Sequence, residues 1–507
     1  MADVSAQLEV GEFAEAGQLA PAASKPPIWG VARAVMLGRG ERRMEAETYL
    51  TDGYGLRTSI EARDTGWSRL GGLASVWQPS RLKGIVVDRE YGVPFLAAGQ
   101  VFERRPAPRK WLSMAKTPDA SSRLLEQGTI LISCSGNVGR VTIAHHPHLG
   151  RLISHDLLRI IPSDQTLSGW LYAYFRTSQF RMIATAERYG HAVKHLEIPH
   201  LNALPVVLVE KAISDRFQAD VARVFRLRDQ SHQLIEQAES RFTAAVGLDT
   251  VVNADLPFFV RVRALLQGRR RLDAFHFNVS AASIEEAYQA NARQVDSLAD
   301  LSENIWWPSR FSRVFGPDGT PYVSAEDLFN LNPAVTKRVY AGLVANRDDY
   351  FLDPDWLVLV RSGQIYGLNG SVRMVGSRLT RFFVSEDLIR ISPRKELIRP
   401  GYLLCALSHP VLARPLVIRN AYGTSVPHLE PADVGTVPIP RFTPEVENYI
   451  ADRIDTAVQL EAEADDLEDR LTAEAEQIVT MFIRGAASKG RLTKRRAVAG
   501  TVRPLRP

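Results

Sequence analysis

Two short loops carry the side chains best suited to contacting a polyanion. Ser135-Gly136-Asn137-Val138-Gly139-Arg140 joins a hydroxyl, an amide and a guanidinium to two glycines. Hydroxyls, backbone amides and arginines contact phosphate oxygens, and amide or guanidinium groups read base edges. Glycine lets the backbone come close. Later in the chain, Arg361-Ser362-Gly363-Gln364-Ile365-Tyr366-Gly367 offers a comparable set. A tight turn between strands would use the same residues, so both readings stand. A second pair of loops is Tyr189-Gly190-His191-Ala192-Val193-Lys194-His195 and Tyr422-Gly423-Thr424-Ser425-Val426-Pro427-His428. Tyrosine, glycine and histidine recur in both, as structural residues would. His191 and Lys194 against Thr424 and Pro427 differ, and sequence choice could live there. A third pair is Trp77, Ser80 and Arg81 with Trp306, Ser309 and Arg310. Recurrence there points to a shared job, phosphate contact or core packing, with packing favoured for the tryptophans.

The candidate contact residues in the first half are therefore Arg81, Ser135, Asn137, Arg140, His191 and Lys194. In the second half they are Arg310, Arg361, Ser362, Gln364, Tyr366, Thr424 and Ser425. Metal chemistry is not expected. His145-His146-Pro147-His148 and the His191/His195 pair lack cysteines or a carboxylate set at recognisable ligand spacing, and their counterparts do not repeat them. No cofactor and no catalytic residue are expected either. There is no Gly-x4-Gly-Lys-Ser/Thr loop, and Asn332-Pro333-Ala334-Val335 is not the Asn/Asp-Pro-Pro-aromatic signature of amino-methyltransferases.

These loops come in pairs because the chain is written twice. Val93-Pro94-Phe95-Leu96 answers Thr320-Pro321-Tyr322-Val323, and Ser135-Gly136 answers Ser362-Gly363, at a shift of 227. Ser154-His155-Asp156-Leu157-Leu158-Arg159 answers Ser385-Glu386-Asp387-Leu388-Ile389-Arg390 at 231. The Tyr-Gly…His-Leu loops match at 233. The repeat starts early: Arg43-Met44-Glu45-Ala46 answers Arg271-Leu272-Asp273-Ala274. A unit this long is a duplicated domain with its own core.

Each copy reads as short apolar strands, a short helix near Trp170–Phe175 or Tyr402–Leu407, a proline-marked strand, and one long helix. The second long helix opens at Thr443-Pro444-Glu445, a cap followed by proline and an acid. Its apolar stripe from Ile450 to Ile478 repeats 233 positions earlier, from Phe217 to Ala245, at spacings of three and four. Such narrow stripes in a charged setting predict an antiparallel coiled coil with one head at each end. The predicted fold class is a mixed α/β (α+β) tandem duplication with pseudo-twofold symmetry. The expected division is a lead at 1–27, heads at 28–208 and 258–441, long helices at 209–247 and 442–484, a linker at 248–257 and a basic tail at 485–507.

At 507 residues and 45% apolar composition, the chain is a multi-domain globular protein. It has no membrane-length apolar run and no apolar signal core, so a cytoplasmic setting without membrane contact is expected. Cys134 and Cys405 are not a repeated pair, and no disulfide is expected. The net charge of +5 is uneven. Residues 443–479 hold twelve acids and two bases, whereas the tail holds seven bases and no acid. The heads and tail would face a polyanion, and the acidic helix is the expected protein-docking surface.

The order domain–long helix–domain–long helix, with these local elements seen twice, resembles the specificity (S) subunit of type I restriction–modification systems. It also resembles the related specificity subunits of other methylation-linked phage-defence systems. The resemblance covers nearly the whole chain, apart from the lead and the tail. It implies two target recognition domains reading a bipartite site in double-stranded DNA. It also implies spacer helices that dock DNA methyltransferase subunits and, through them, a motor-nuclease subunit. Such a subunit catalyses nothing itself. The alternatives are a coiled-coil protein-interaction scaffold or a divergent nuclease.

Overall fold

The computed structural model describes residues 46–49, 51–81, 83–187, 195–248, 259–266 and 271–485. Within these, each copy builds three sheets on one plan, one of them four-stranded in the first head and three-stranded in the second. The central four-stranded sheet of the first head runs Ala74–Trp77, Leu157–Pro162, Ile130–Ser133, Val141–Ile143, antiparallel throughout. In the second head the order is Ser302–Trp306, Leu388–Pro393, Leu357–Val360, Val372–Met374. The apolar runs Ile130–Ser133 and Leu357–Val360 are central in their sheets and wholly buried, as uninterrupted hydrophobic strands should be. A second sheet ends each time in a parallel pair, Phe95–Leu96 beside Leu152–Ile153 and Tyr322–Val323 beside Phe383–Val384. A two-stranded antiparallel ribbon closes each head, Trp67–Arg69 with Pro205–Val207 and Gln294–Ser297 with Pro438–Arg441.

The two spacer helices span Lys211–Val246 and Pro444–Arg484, 36 and 41 residues, or about 54 and 62 Å. Each ends at a glycine with left-handed φ, Gly247 and Gly485, the usual way to stop a helix. They pair antiparallel. Arg216 meets Glu474, Arg223 meets Glu463, the Ser231 hydroxyl donates to the Ala457 carbonyl, and Arg453 donates to Gln237. Partner numbers fall on one helix as they rise on the other. Each head packs on both helices. The first core takes in Phe217, Val221 and Val224 together with Leu471 and Ala475. The second takes in Ala238 and Phe242 together with Ile450 and Ile454. The stripes therefore serve the helix pair and the heads at once.

Between the heads runs a short backbone bridge of repeat-equivalent residues. Arg104 N donates to Phe329 O at 2.9 Å and Leu331 N donates to Phe102 O at 2.7 Å, around the Glu103–Asn330 bridge. At the shift of 227, residues 102, 103 and 104 are the counterparts of 329, 330 and 331. Exchanging the two copies leaves this contact unchanged, which is the signature of a twofold axis. The pseudo-dyad passes through it.

Beneath the bridge lies a buried ionic node. Arg228 of the first spacer helix donates to Glu468 at 2.8 and 3.0 Å and to Asp465 at 3.2 Å. These three residues are only 1–2% exposed, so the node lies in the interior. Glu468 also takes bonds from Tyr172 and Arg176 of the first head and from Asn332 of the second. Asp465 takes Arg104 of the first head and Arg378 of the second. Burial alone would push both carboxyls up. The converging guanidiniums outweigh it and hold both well below the usual carboxylate range. The acidity of 443–479, expected to form a docking surface, is thus largely committed within the chain. Arg399 takes Asp452 and Asp455, Arg441 takes Glu447, and Glu476 accepts from the Ser178 amide.

The first spacer helix faces a histidine cluster instead. His145 Nδ1 lies 2.7 Å from Asp229 Oδ1, and its ring contacts those of His148 and His232. Burial lowers all three, His145 and His148 far down and His232 to about 4, with neighbouring cations and histidines adding to the effect. Among the described residues no group of three or more His, Cys, Asp or Glu is arranged to hold a metal ion. No described helix is long and apolar enough to cross a membrane.

Two outcomes follow. Glu468→Ala leaves Arg176 without its carboxylate and Arg228 with Asp465 alone, and should cost about 3–5 kcal/mol in urea unfolding. The histidines charge more readily in the unfolded chain than in the folded one. Their contribution to stability is therefore complete above pH 6.5 and is lost as pH falls from 6.5 towards 4. Unfolding midpoints across that window should drop, and His232→Gln should flatten the drop.

Candidate nucleic-acid interface

The three motifs that recur in both copies come together at one end of each central sheet. In the second head the Ser362 hydroxyl lies 2.5 Å from Asp387 Oδ1 and 2.7 Å from His428 Nδ1. In the first head the Ser135 hydroxyl donates to Asp156 Oδ1 at 3.0 Å, and Ser135 pairs with His195 in an antiparallel bridge. The second head has the same bridge, Ser362 with His428. Backbone bonds repeat as well: Leu196 N to Cys134 O and Leu429 N to Arg361 O, each 2.9 Å. Serine, rather than histidine, sits at the centre of this trio. The carboxylate holds the hydroxyl and does not orient the imidazole, so the arrangement braces a loop base and lacks the relay of a hydrolytic triad.

A second brace lies below. Arg159 and Arg390 are wholly buried in their strands. They donate to carbonyls of their own Ser-x-Asp loops, Leu157 O at 2.7 Å and Leu388 O at 2.6 Å, with further bonds to Ser154 O and Ser385 O. Burial pushes both down to about 10, with Arg123 adding to it at Arg159 and the weaker pull of Tyr350, Glu386 and Asp349 opposing it at Arg390. Arg271 adds a third brace. Its fork is held by Asp273 at 2.7 and 3.0 Å and donates to the Asn420 and Ala421 carbonyls, just ahead of Tyr422-Gly423.

On these braces the candidate loops adjoin. Gln364 Nε2 donates to Ser425 O at 3.0 Å, and the Asn369 amide donates to both Gly363 O and Pro427 O. Gln364, Tyr366, Thr424 and Ser425 are exposed, Tyr366 at 69%. They form one polar surface with an aromatic ring standing out of it. In the first head Asn137 is exposed at the loop tip, its carbonyl taking the Ser133 hydroxyl at 2.6 Å. Gly136 and Gly363 hold φ of +65° and +128°, with open space where a Cβ would stand. Glycine is needed there for backbone conformation rather than for room. Arg81 and Arg310 are exposed, and Arg81 lies near enough to Cys134 and His155 to act on both electrostatically.

Other candidates are turned inward. Arg361 is 8% exposed, stacks 4.1 Å over Trp307 and donates to Glu430 at 2.7 Å. Burial raises the Glu430 carboxyl and the Arg361 guanidinium more than offsets that, leaving it lowered. Arg140 stacks 4.3 Å over Phe102, at the head–head bridge, where burial lowers its pKa against the pull of Glu326 and Asp327. His191, Lys194 and the Tyr189-Gly190 pair lie outside the described residues, as do the lead, Arg43 to Glu45 and the tail beyond Gly485. Trp77 and Trp306 are half-buried and lie across the strand from Arg159 and Arg390, in keeping with packing. Both cysteines are free and buried. Burial, with Asp156 nearby, raises the Cys134 thiol to about 11.

Asp156, Asp387, His195, His428 and Arg271 were not among the candidates. Their signal was recurrence itself, read as a family mark rather than as one site, because 25 and 66 residues separate Ser362 from its two partners.

Among solved structures the chain is similar to the type I restriction–modification system S subunit from M. genitalium, at 13% identity and TM-score 0.36, over 83% of this chain and 96% of that one. It is similar to the HsdS subunit from Thermoanaerobacter tengcongensis, at 14% identity and TM-score 0.24, over 83% and 97%. A chain from a study of complex assembly and conformational transition of the type I R-M system aligns at 14% identity and TM-score 0.25, over 83% and 96%. No family model and no curated protein matches the sequence.

Gly363→Ala forces a side chain into a backbone region that it rarely adopts. The variant should unfold within a few degrees of the parent yet show changed amide exchange at 362–369 and 422–428. Unchanged exchange would mean that the loop base is not held as described.

Proposed function

We propose that this chain is a DNA-sequence-reading subunit. Its two heads contact the two halves of a bipartite duplex site and bring a separate DNA methyltransferase to it, without catalysis by the chain itself. One observation carries the reading. Two copies of one head are set about a pseudo-dyad by antiparallel helices, and their exposed loops differ in sequence. Duplex DNA offers local twofold symmetry of backbone, so a pseudo-twofold protein can place equivalent surfaces on both halves. Matching braces keep the loops in equivalent places. Differing loop residues let each half-site be its own sequence. Gln364, Thr424 and Ser425 supply the donors and acceptors of direct readout, while Arg81 and Arg310 supply phosphate contacts. The sequence resemblance to specificity subunits agrees with this, and it implies the methyltransferase and motor-nuclease as partners.

The test is a methylome. The chain is expressed in a methylation-free host with the methyltransferase encoded beside it, and modified bases are mapped genome-wide. One motif of two short half-sites at a fixed gap is expected. Gln364→Ala with Thr424→Ala should relax the second half-site only, by about 10–100-fold at the affected bases. Binding of the purified protein to its motif should weaken linearly in log–log salt titration. A salt-independent interaction with protein alone would instead favour the scaffold.

A further inference from the structure

We infer that Asp465 and Glu468, with Asn332 and Arg378 as the second head's anchors, are the positioning residues that fix the gap between the two half-sites. The inference rests on the DNA-reading proposal and adds what sets the ruler. Helix length and shared apolar packing bring the heads to opposite ends of the coiled coil, but apolar contacts resist small rocking of one head against the other only weakly. The node removes that freedom. Each of the two carboxylates touches the first head, the first spacer helix and the second head. The anchors interlock: Asn332 Nδ2 donates to Glu468 at 2.6 Å and Asp469 at 2.9 Å, and Arg378 donates to Asn332 Oδ1 at 2.8 Å. Arg176 of the first head donates straight to Asn332 O at 3.1 Å. Asn332 itself sits at φ +33°, a conformation that persists where surroundings impose it.

The scale of the constraint matches the scale of the target. Changing the gap by one base pair moves the far half-site by about 3.4 Å and turns it by about 35°. Polar contacts of 2.6–3.5 Å to two buried carboxylates break before they yield that far. The backbone bridge at the pseudo-dyad adds a second stop beside the node. A head released from the node, but still packed on its spacer helices, would read the same bases at more than one gap.

The full chain is therefore compared with Asn332→Gly/Arg378→Ala in the methylome assay. This pair leaves Asp465 with Arg104 and Arg228, and Glu468 with Arg176, Arg228 and Tyr172. No buried carboxylate is stranded, since Asp469, which loses both Asn332 and Arg378, is exposed, and glycine suits the backbone at 332. The wild type should favour its own gap over neighbours one base pair longer or shorter by about 100-fold. The variant should keep the bases of both half-sites while that preference falls below about tenfold. A loss of stability alone would lower modification at every site without changing the ratio. Should the double variant fail to fold, Arg378→Lys keeps the charge and loses the fork, and a several-fold fall in the ratio is expected. A variant that folds and keeps the wild-type ratio overturns the inference. A wild type that modifies no bipartite site overturns the DNA-reading proposal itself, and this one with it.

Discussion

The antiparallel pairing of the two spacer helices is the constraint on which everything else depends. Neither head closes its core alone. The first borrows Phe217 and Val224 from one helix and Leu471 and Ala475 from the other, and the second borrows Phe242 and Ile450 in the same way. Unpairing the helices would expose both cores at once. A rod that merely joined two finished domains would flex at its ends. Here the rod is part of each domain, so head orientation is coupled to helix register. A slip of either helix would also misplace every arginine of the buried node.

The node is a costly way to fasten two domains. Burying charge carries a desolvation penalty that apolar residues of similar volume would avoid. What charge offers is direction. Apolar surfaces slide over one another with little change in energy, whereas a guanidinium set into a carboxylate holds one geometry. Asn332, which joins Glu468, Asp469 and Arg378 from a left-handed backbone, has the same character. The first spacer helix carries His232 in the repeat position of Asp465, held neutral by burial, and beside the Arg105–Glu239 ion pair it meets its own head through that histidine cluster.

Much of the fold was legible in the sequence for a simple reason. Duplication prints each core twice, and the stripes from Phe217 and from Ile450 kept one phase. The braces were half legible. Ser362, Asp387 and His428 each recur, but recurrence does not reveal that three distant segments meet. The node was not legible at all. Asp465 and Glu468 stand in a run of acids that local pattern assigns to solvent. Their partners Arg104, Arg176, Arg228 and Arg378 are spread over 275 positions and look like ordinary surface arginines. Charge reads as exposure until a counter-charge is seen beside it. For the same reason Arg140 and Arg361 looked like free contact residues, when each has a ring to stack on inside its own head.

The node also bears on why the two copies share one chain. In a true homodimer, equivalent positions on the paired helices carry the same residue, and near the axis they face each other. The helices here cross between the Arg223–Glu463 and Ser231–Ala457 contacts, beside Arg228 and its repeat counterpart Glu461. Identical subunits would place arginine against arginine there, or acid against acid, which is repulsive in a dry interior. Once the copies are fused they diverge independently. One helix can carry the guanidinium and the other the carboxylates. The same freedom lets the exposed loops differ. Fusion thus permits a single guanidinium near the axis, with Asp465 and Glu468 around it, and unlike surfaces at the two ends; an exact twofold would set a second guanidinium beside the first and copy one surface to both ends.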